Sequence, residues 1–266
     1  MNEVAEATGR HFRRGDWLRR FVRRHAVFNR LLSNVLPRYR LCAVRPESDV
    51  IIEGFPRSAN TFAVVALKMS QPQPIHVGRH LHSLGHVRRG LQLGKPALIV
   101  IRHPRDAVLS LAIAHPELKL ASLLTEYIDF YEGIEELGDA VVVGEFNEVT
   151  SDFGAVTRRL NARFGTKFHE FEPTPENFER CYELIDAEDR RNTGGISRPT
   201  RVARPTAERD QKKLELSSRL EQSPARDLLA AAEKVYSRLL GKHGLTPAAA
   251  VVESRVVAPA AQSGKN

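Results

Sequence analysis

Two cysteines in 266 residues, Cys42 and Cys181, can build neither a disulfide framework nor a paired-thiolate metal motif. A reducing, cytoplasmic setting is the expectation that follows. No run of 18 apolar residues occurs, so the chain is not expected to span a membrane. Acidic residues are the scarcer charge, 32 against 40 lysines and arginines, which leaves a net charge of +8. That balance favours anionic partners: a nucleotide, an acidic glycan, nucleic acid or an anionic membrane surface. No internal repeat is present. What the chain does have is 42% hydrophobic content, enough for one sizeable α/β core with extensions.

The most informative stretch runs from Val50 to Lys68. Val50, Ile51 and Ile52 form a short β-branched run of the kind a buried parallel strand needs, and Gly54 and Pro56 end it. Ala63 to Leu67 then supplies closely spaced apolar residues for a helix. A strand, a tight loop and a helix in that order make an anion site, because the first N–H groups of the helix lack internal partners and the macrodipole is positive there. Arg57, Ser58, Asn60 and Thr61 add a cation and side-chain donors. A nucleotide-binding loop of the form G-x-x-x-x-G-K-[ST] would carry a second glycine and a lysine. Here Ala59, Asn60 and Thr61 stand instead, so a triphosphate cradle is incomplete.

The same grammar recurs. Ala97 to Ile101 is a second buried-strand run, followed by Arg102, a proline at a first helical position, Pro104, and a helix that carries Asp106 and Ser110. Ligands of open α/β sheets sit beyond the carboxyl ends of the strands, so Arg57 and Arg102 are expected to face one crevice.

The two stretches together resemble the sulfotransferases that use 3′-phosphoadenosine 5′-phosphosulfate (PAPS). Pro56-Arg57-Ser58-Ala59-Asn60-Thr61-Phe62 is similar to their 5′-phosphosulfate loop, with Ala59 where Gly is usual and Arg57 where many members have Lys. Arg102, Pro104, Asp106 and Ser110 fill the fixed positions of their 3′-phosphate motif. The resemblance covers about residues 50 to 165. It implies a three-layer α/β fold, a mostly parallel central sheet with helices on both faces in a P-loop NTPase-like arrangement. It also implies PAPS as cofactor, with 3′-phosphoadenosine 5′-phosphate (PAP) as its spent form, and no metal. Cofactor contacts fall to Arg57, Ser58, Ala59, Asn60, Thr61, Phe62, Arg102 and Ser110. Arg57 and a general base are the catalytic pair. The family's base is a histidine about two dozen residues ahead of the 3′-phosphate arginine, which selects His80, with His82 as the near rival and His76 behind it.

The three histidines His76, His80 and His82, which strand spacing would point to one face, have no acid or thiol close by in sequence to complete a metal shell. An imidazole suits proton transfer at neutral pH without a large shift. Residues 1–47 are read as a basic amphipathic helix and connector: Trp17, Leu18, Phe21, Val22, Phe28, Leu31 and Leu32 recur at helical spacing, and arginines fill the other face. Arginines interrupt this segment throughout, so it is not read as a signal peptide. It is either a solvated helix packed on the domain or a peripheral contact to an anionic membrane or acidic glycan. Residues 48–245 are the expected catalytic domain, and 246–266 an aperiodic, disordered tail.

A third buried strand is expected at Ala140–Val143, with Glu145 a structural residue at its end, and helices over 118–137, 152–164, 177–185 and 224–240. The arginine-rich stretch 189–211 is read as a lid. Tyr127, Phe130 and Tyr131 read as core or pocket wall. Few aromatics are interleaved with the arginines and no nucleic-acid motif appears, so nucleic acid is not an expected partner. The expected activity is transfer of a sulfuryl group to a hydroxyl on a glycan, lipid or small alcohol. A nucleotide-dependent kinase and a non-catalytic, membrane- or anion-binding protein are the alternatives.

Overall fold

The computed structural model describes residues 42–192 and 207–247. The basic helix expected within 1–47, nearly all of the tail 246–266 and most of the lid 189–211 lie outside these residues. Four strands form one parallel sheet: β1 (Val50–Gly54), β2 (Val77–Arg79), β3 (Ala97–Ile101) and β4 (Val142–Glu145), in the order β2-β1-β3-β4. In register, Val50 pairs with Val77, Gly54 with Val100 and Ile101 with Glu145. Every residue of β1, β3 and β4 is buried. Burial on both faces is why these strands read as continuous apolar runs rather than alternating ones.

Alternate strand residues feed two cores. Ile51, Ile99, Ile101 and Val143, with Val141 just ahead of β4, point to a layer made by α2 (Leu84–Gln92), α3 (Pro104–Ala114), α4 (Leu120–Glu135) and α9 (Ala225–Lys242). Val50, Ile52, Leu98, Val100 and Val142 point to the opposite layer, made by α1 (Asn60–Ser70), α5 (Phe146–Ser151), α6 (Phe153–Phe164) and α7 (Pro175–Asn192). The expected three-layer α/β arrangement is thus what the chain adopts. α8 (Ala207–Leu220) adds Leu220 to the first core, so residues 207–211 of the expected lid are helical.

The expected elements hold with local adjustments. β2 is an additional, three-residue edge strand. The helix expected at 177–185 runs from Pro175 to Asn192. Asp152 caps α6 by accepting from Ala155 N, and Gly165 ends it at φ 66°. No helix among the described residues is long and apolar enough to cross a membrane.

The chain leaves β1 through α1 on one face to reach β2, then returns through α2 on the other face to β3. The strand order therefore reverses between β1 and β3, and the crevice beyond their carboxyl ends is the topological switch point. Both motifs singled out in the sequence lie there.

Candidate functional site

At the floor of the crevice β1 and β3 touch. A Cβ added to Gly54 would lie 2.2 Å from the carbonyl oxygen of Val100, so only glycine permits this approach. One residue further on, the strands part and a side chain fills the gap. The Tyr131 hydroxyl accepts from Phe55 N at 3.0 Å and donates to Val100 O at 2.8 Å. One turn earlier on α4, the Tyr127 hydroxyl donates to Arg102 O at 2.7 Å. Both tyrosines are fully buried, and burial pushes both phenols above their ordinary range, so each stays a neutral donor. These hydroxyls fix the two strand ends, a role their place in the sequence does not announce.

The loop Phe55–Ala59 leads into α1. Arg57 and Ala59 sit at φ 70° and 69°, the left-handed region that side chains disfavour, and Ala59 is the residue that starts the helix. Asn60 donates from Nδ2 to Phe55 O at 2.9 Å, which bolts the loop closed. Ser58 Oγ, beside the Tyr131 phenol, and Asn60 Oδ1 are buried, and neither makes a hydrogen bond of full geometry among the described residues. Thr61 is half-buried in the first turn of α1. Phe62 is 4% exposed and packs in the core against Phe171, Phe178 and Tyr182, with ring centroids 5.9–6.0 Å apart. Its packing accounts for the aromatic at this position without a ligand.

Arg102, at the end of β3, donates from Nη1 to Arg57 O at 3.2 Å, and its guanidinium lies 4.0 Å over the Phe146 ring. Arg57 in turn donates from Nε to Ser110 Oγ at 3.0 Å. The two motifs are therefore one cluster, built from both strand ends and α3. Asp106, 5% exposed, pairs with Lys213 of α8 at 3.2 Å and anchors that helix. Glu145 caps α5 by accepting from Asn147 N at 2.6 Å and also accepts from the Tyr236 hydroxyl, which fits the structural role expected of it.

The histidines follow β2. His80 and His82 stand at φ 58° and 48°, with ring centroids 6.0 Å apart. Burial, with the neighbouring His82 and Arg79, pushes His80 down to about 4. His82 Nδ1 lies 2.6 Å from Gly54 O. Behind them is Glu53, fully buried in β1 and unremarked in the sequence. It accepts from Leu81 N at 2.9 Å, His82 N at 2.8 Å and His86 Nδ1 at 2.7 Å. Burial alone would raise this carboxyl; the His86 hydrogen bond, the nearby imidazoles and the Leu81 N–H outweigh it and hold the group below its ordinary value. His86 Nε2 accepts from Val44 N at 2.7 Å, which leaves Nδ1 as the protonated nitrogen. Among the described residues no cluster of three or more His, Cys, Asp or Glu could hold a metal ion.

A scan against protein-family models finds none that matches, and a search of curated proteins finds none. Among solved structures the chain is similar to mouse sulfotransferase SULT7A1 complexed with PAP. The two share 13% identity over 70% of this chain and 89% of that one, with a TM-score of 0.40.

Proposed function

We propose that the protein transfers a sulfuryl group from PAPS to a hydroxyl acceptor. One observation carries this reading: Arg102 donates to Arg57, and Arg57 to Ser110, so the fixed cations of two anion motifs share one crevice. A ligand with anions at two separated points suits such a pair better than a single phosphate. The buried Ser58 hydroxyl, beside the Tyr131 phenol and without a hydrogen bond of full geometry, adds a donor inside the loop. The residues present therefore fit PAPS, which when bound would supply the activated sulfuryl group and leave as PAP.

On this reading Arg102 and Ser110 hold the 3′-phosphate. Arg57, Ser58, Thr61 and the first amides of α1 hold the 5′ end, where the helix macrodipole adds positive potential. Ala59 provides the left-handed turn that opens those amides, and Asn60 keeps the turn shut. Arg57 also neutralises the negative charge that develops during transfer, a contribution that commonly reaches several kcal/mol in a preorganised site. A histidine of the 80–82 loop accepts the hydroxyl proton, His80 by the resemblance. Sugar, lipid and small alcohol acceptors are the candidate class, and the basic residues of 1–36 are the candidate contact to an anionic membrane or acidic glycan.

A kinase would want an acid at the end of the second motif strand for Mg²⁺, and Arg102 stands there. Calorimetric titration with PAP, and separately with ATP and Mg²⁺, tests the reading. Tight binding of PAP that Arg102→Ala abolishes supports it. Binding of ATP with Mg²⁺ in place of PAP, or of neither, overturns it.

A further inference from the structure

The loop that carries His80 and His82 is wrapped around an anion the protein itself supplies. Two residues with positive φ flank Leu81, and this alternation turns the N–H groups of Leu81 and His82 toward one point, a backbone concavity of the kind that binds anions. The Glu53 carboxylate occupies it. Non-glycine residues at positive φ cost about 1–3 kcal/mol each and persist only where the surroundings over-determine them. Glu53 is what over-determines this loop.

The ring of His82 is fixed by the neighbouring residue of the same strand. Gly54 O can only accept, so His82 Nδ1, 2.6 Å away, carries the proton and Nε2 is the basic nitrogen. Gly54 immediately precedes the anion loop, so this ring abuts the site, and its side chain is 25% exposed. Glu53 Oε2 lies 3.8 Å from the same Nδ1, close enough to favour the imidazolium that forms when Nε2 takes a proton.

We propose that Glu53 is a positioning residue that holds His82 in the Nδ1–H form, so that His82 Nε2, rather than His80, accepts the proton of the incoming hydroxyl. The His82 role rests on the sulfuryl-transfer reading; the Glu53 role does not. His80, pushed down to about 4, stays unprotonated at neutral pH but is a weak acceptor there.

The test begins with ligand-free full-length protein labelled with ¹⁵N on histidine side chains, whose ring tautomers are read by long-range ¹H–¹⁵N NMR. His82 and His86 are expected as Nδ1–H tautomers. In Glu53→Gln the amide oxygen stays with Leu81 and His86 and the NH₂ group faces His82 N–H, donor against donor. The His82 ring then leaves Gly54 O and its tautomers mix, while PAP affinity is retained. Should Glu53→Gln not fold, Glu53→Asp, which keeps the charge on a shorter arm, is expected to fold and shift the His82 ring signals. With PAPS as donor and, as acceptor, whichever of a panel of monosaccharides, hydroxylated lipids and small alcohols the wild type sulfates, His82→Asn is expected to lower kcat by about 10²–10⁴ at unchanged PAP affinity, at least about tenfold more than His80→Asn.

An Nε2–H tautomer at His82, ring signals indifferent to both Glu53 variants, or a larger loss in His80→Asn overturns the inference. Absence of PAP binding overturns the sulfuryl-transfer reading and the His82 role with it. The ring tautomers still decide the role of Glu53.

Discussion

Arg57 Nε donates to Ser110 Oγ across 3.0 Å, which makes the cation of one motif the partner of the hydroxyl of the other, 53 positions away. On the proposed reading each residue thereby sets the geometry of its neighbour's anion contact. Arg57→Ala is expected to weaken PAP about ten- to hundredfold, as loss of a charged hydrogen bond does, and Ser110→Ala by less. The double variant is expected to lose less than the product of the two, with a coupling of at least about 0.5 kcal/mol. Calorimetry on the four proteins measures it, and additive losses would mean that the two side chains act separately.

Ser58 keeps a buried hydroxyl whose nearest polar neighbour, the Tyr131 phenol, makes no hydrogen bond of full geometry with it, a cost the ligand-free protein bears. Ser58→Ala is expected to leave the free protein as stable or up to about 1 kcal/mol more so, a rise of a few degrees in Tm. If PAP binds as proposed, the same change is expected to shrink the stabilisation that it confers. Thermal unfolding with and without PAP reads both effects, and a drop in the Tm of the free protein would show that the hydroxyl is satisfied.

Ala59 begins α1 at φ 69°, where glycine rests without strain. The gain in the folded state exceeds the entropy that glycine adds to the unfolded chain, so Ala59→Gly is expected to stabilise by about 0.5–1 kcal/mol. Urea unfolding with an unchanged m-value would establish it. A lower midpoint would mean that the methyl group contributes packing worth more than the strain.

His80 is held at about 4 against an ordinary 6.5. As pH falls between these values the unfolded chain takes up a proton that the folded one refuses, so stability declines over that window. Glu53 acts lower: its folded value is depressed, so its contribution is present above the usual carboxylate range and is lost as pH falls below it. His80→Asn is expected to flatten the decline between about pH 6.5 and 4 while leaving the more acidic limb in place. Urea midpoints across pH 4 to 7 measure the slope, and an unaltered slope would assign the decline to other groups.

What the sequence made legible follows from burial. β1 and β3 are covered on both faces, so their apolar runs stand out, and Gly54, Pro56 and Pro104 mark where each ends. The two motifs and the crevice they share follow from those boundaries. β2 is an edge strand of three residues whose Gly78 and Arg79 carry no strand signal. The resemblance gives Phe62 a cofactor contact, and the ring's packing against α7 and Phe171 is what the sequence alone does not show. Glu53 was illegible for a different reason. An acid inside an apolar run makes sense only when its donors are known, and Leu81, His82 and His86 lie 28 to 33 positions away. The hydroxyls of Tyr127 and Tyr131 are hidden in the same way, because composition reports an aromatic core and not the backbone groups that it satisfies.

Gly54 and Val100 meet so closely that no side chain can grow from the crevice floor. Descendants of this sequence are therefore free to reshape the crevice only from above, through the segments that follow β1, β2, β3 and β4. An engineer who wants a different ligand in the crevice should diversify those rims and leave the floor untouched, since every replacement at position 54 would prise the two central strands apart before it reshaped the crevice.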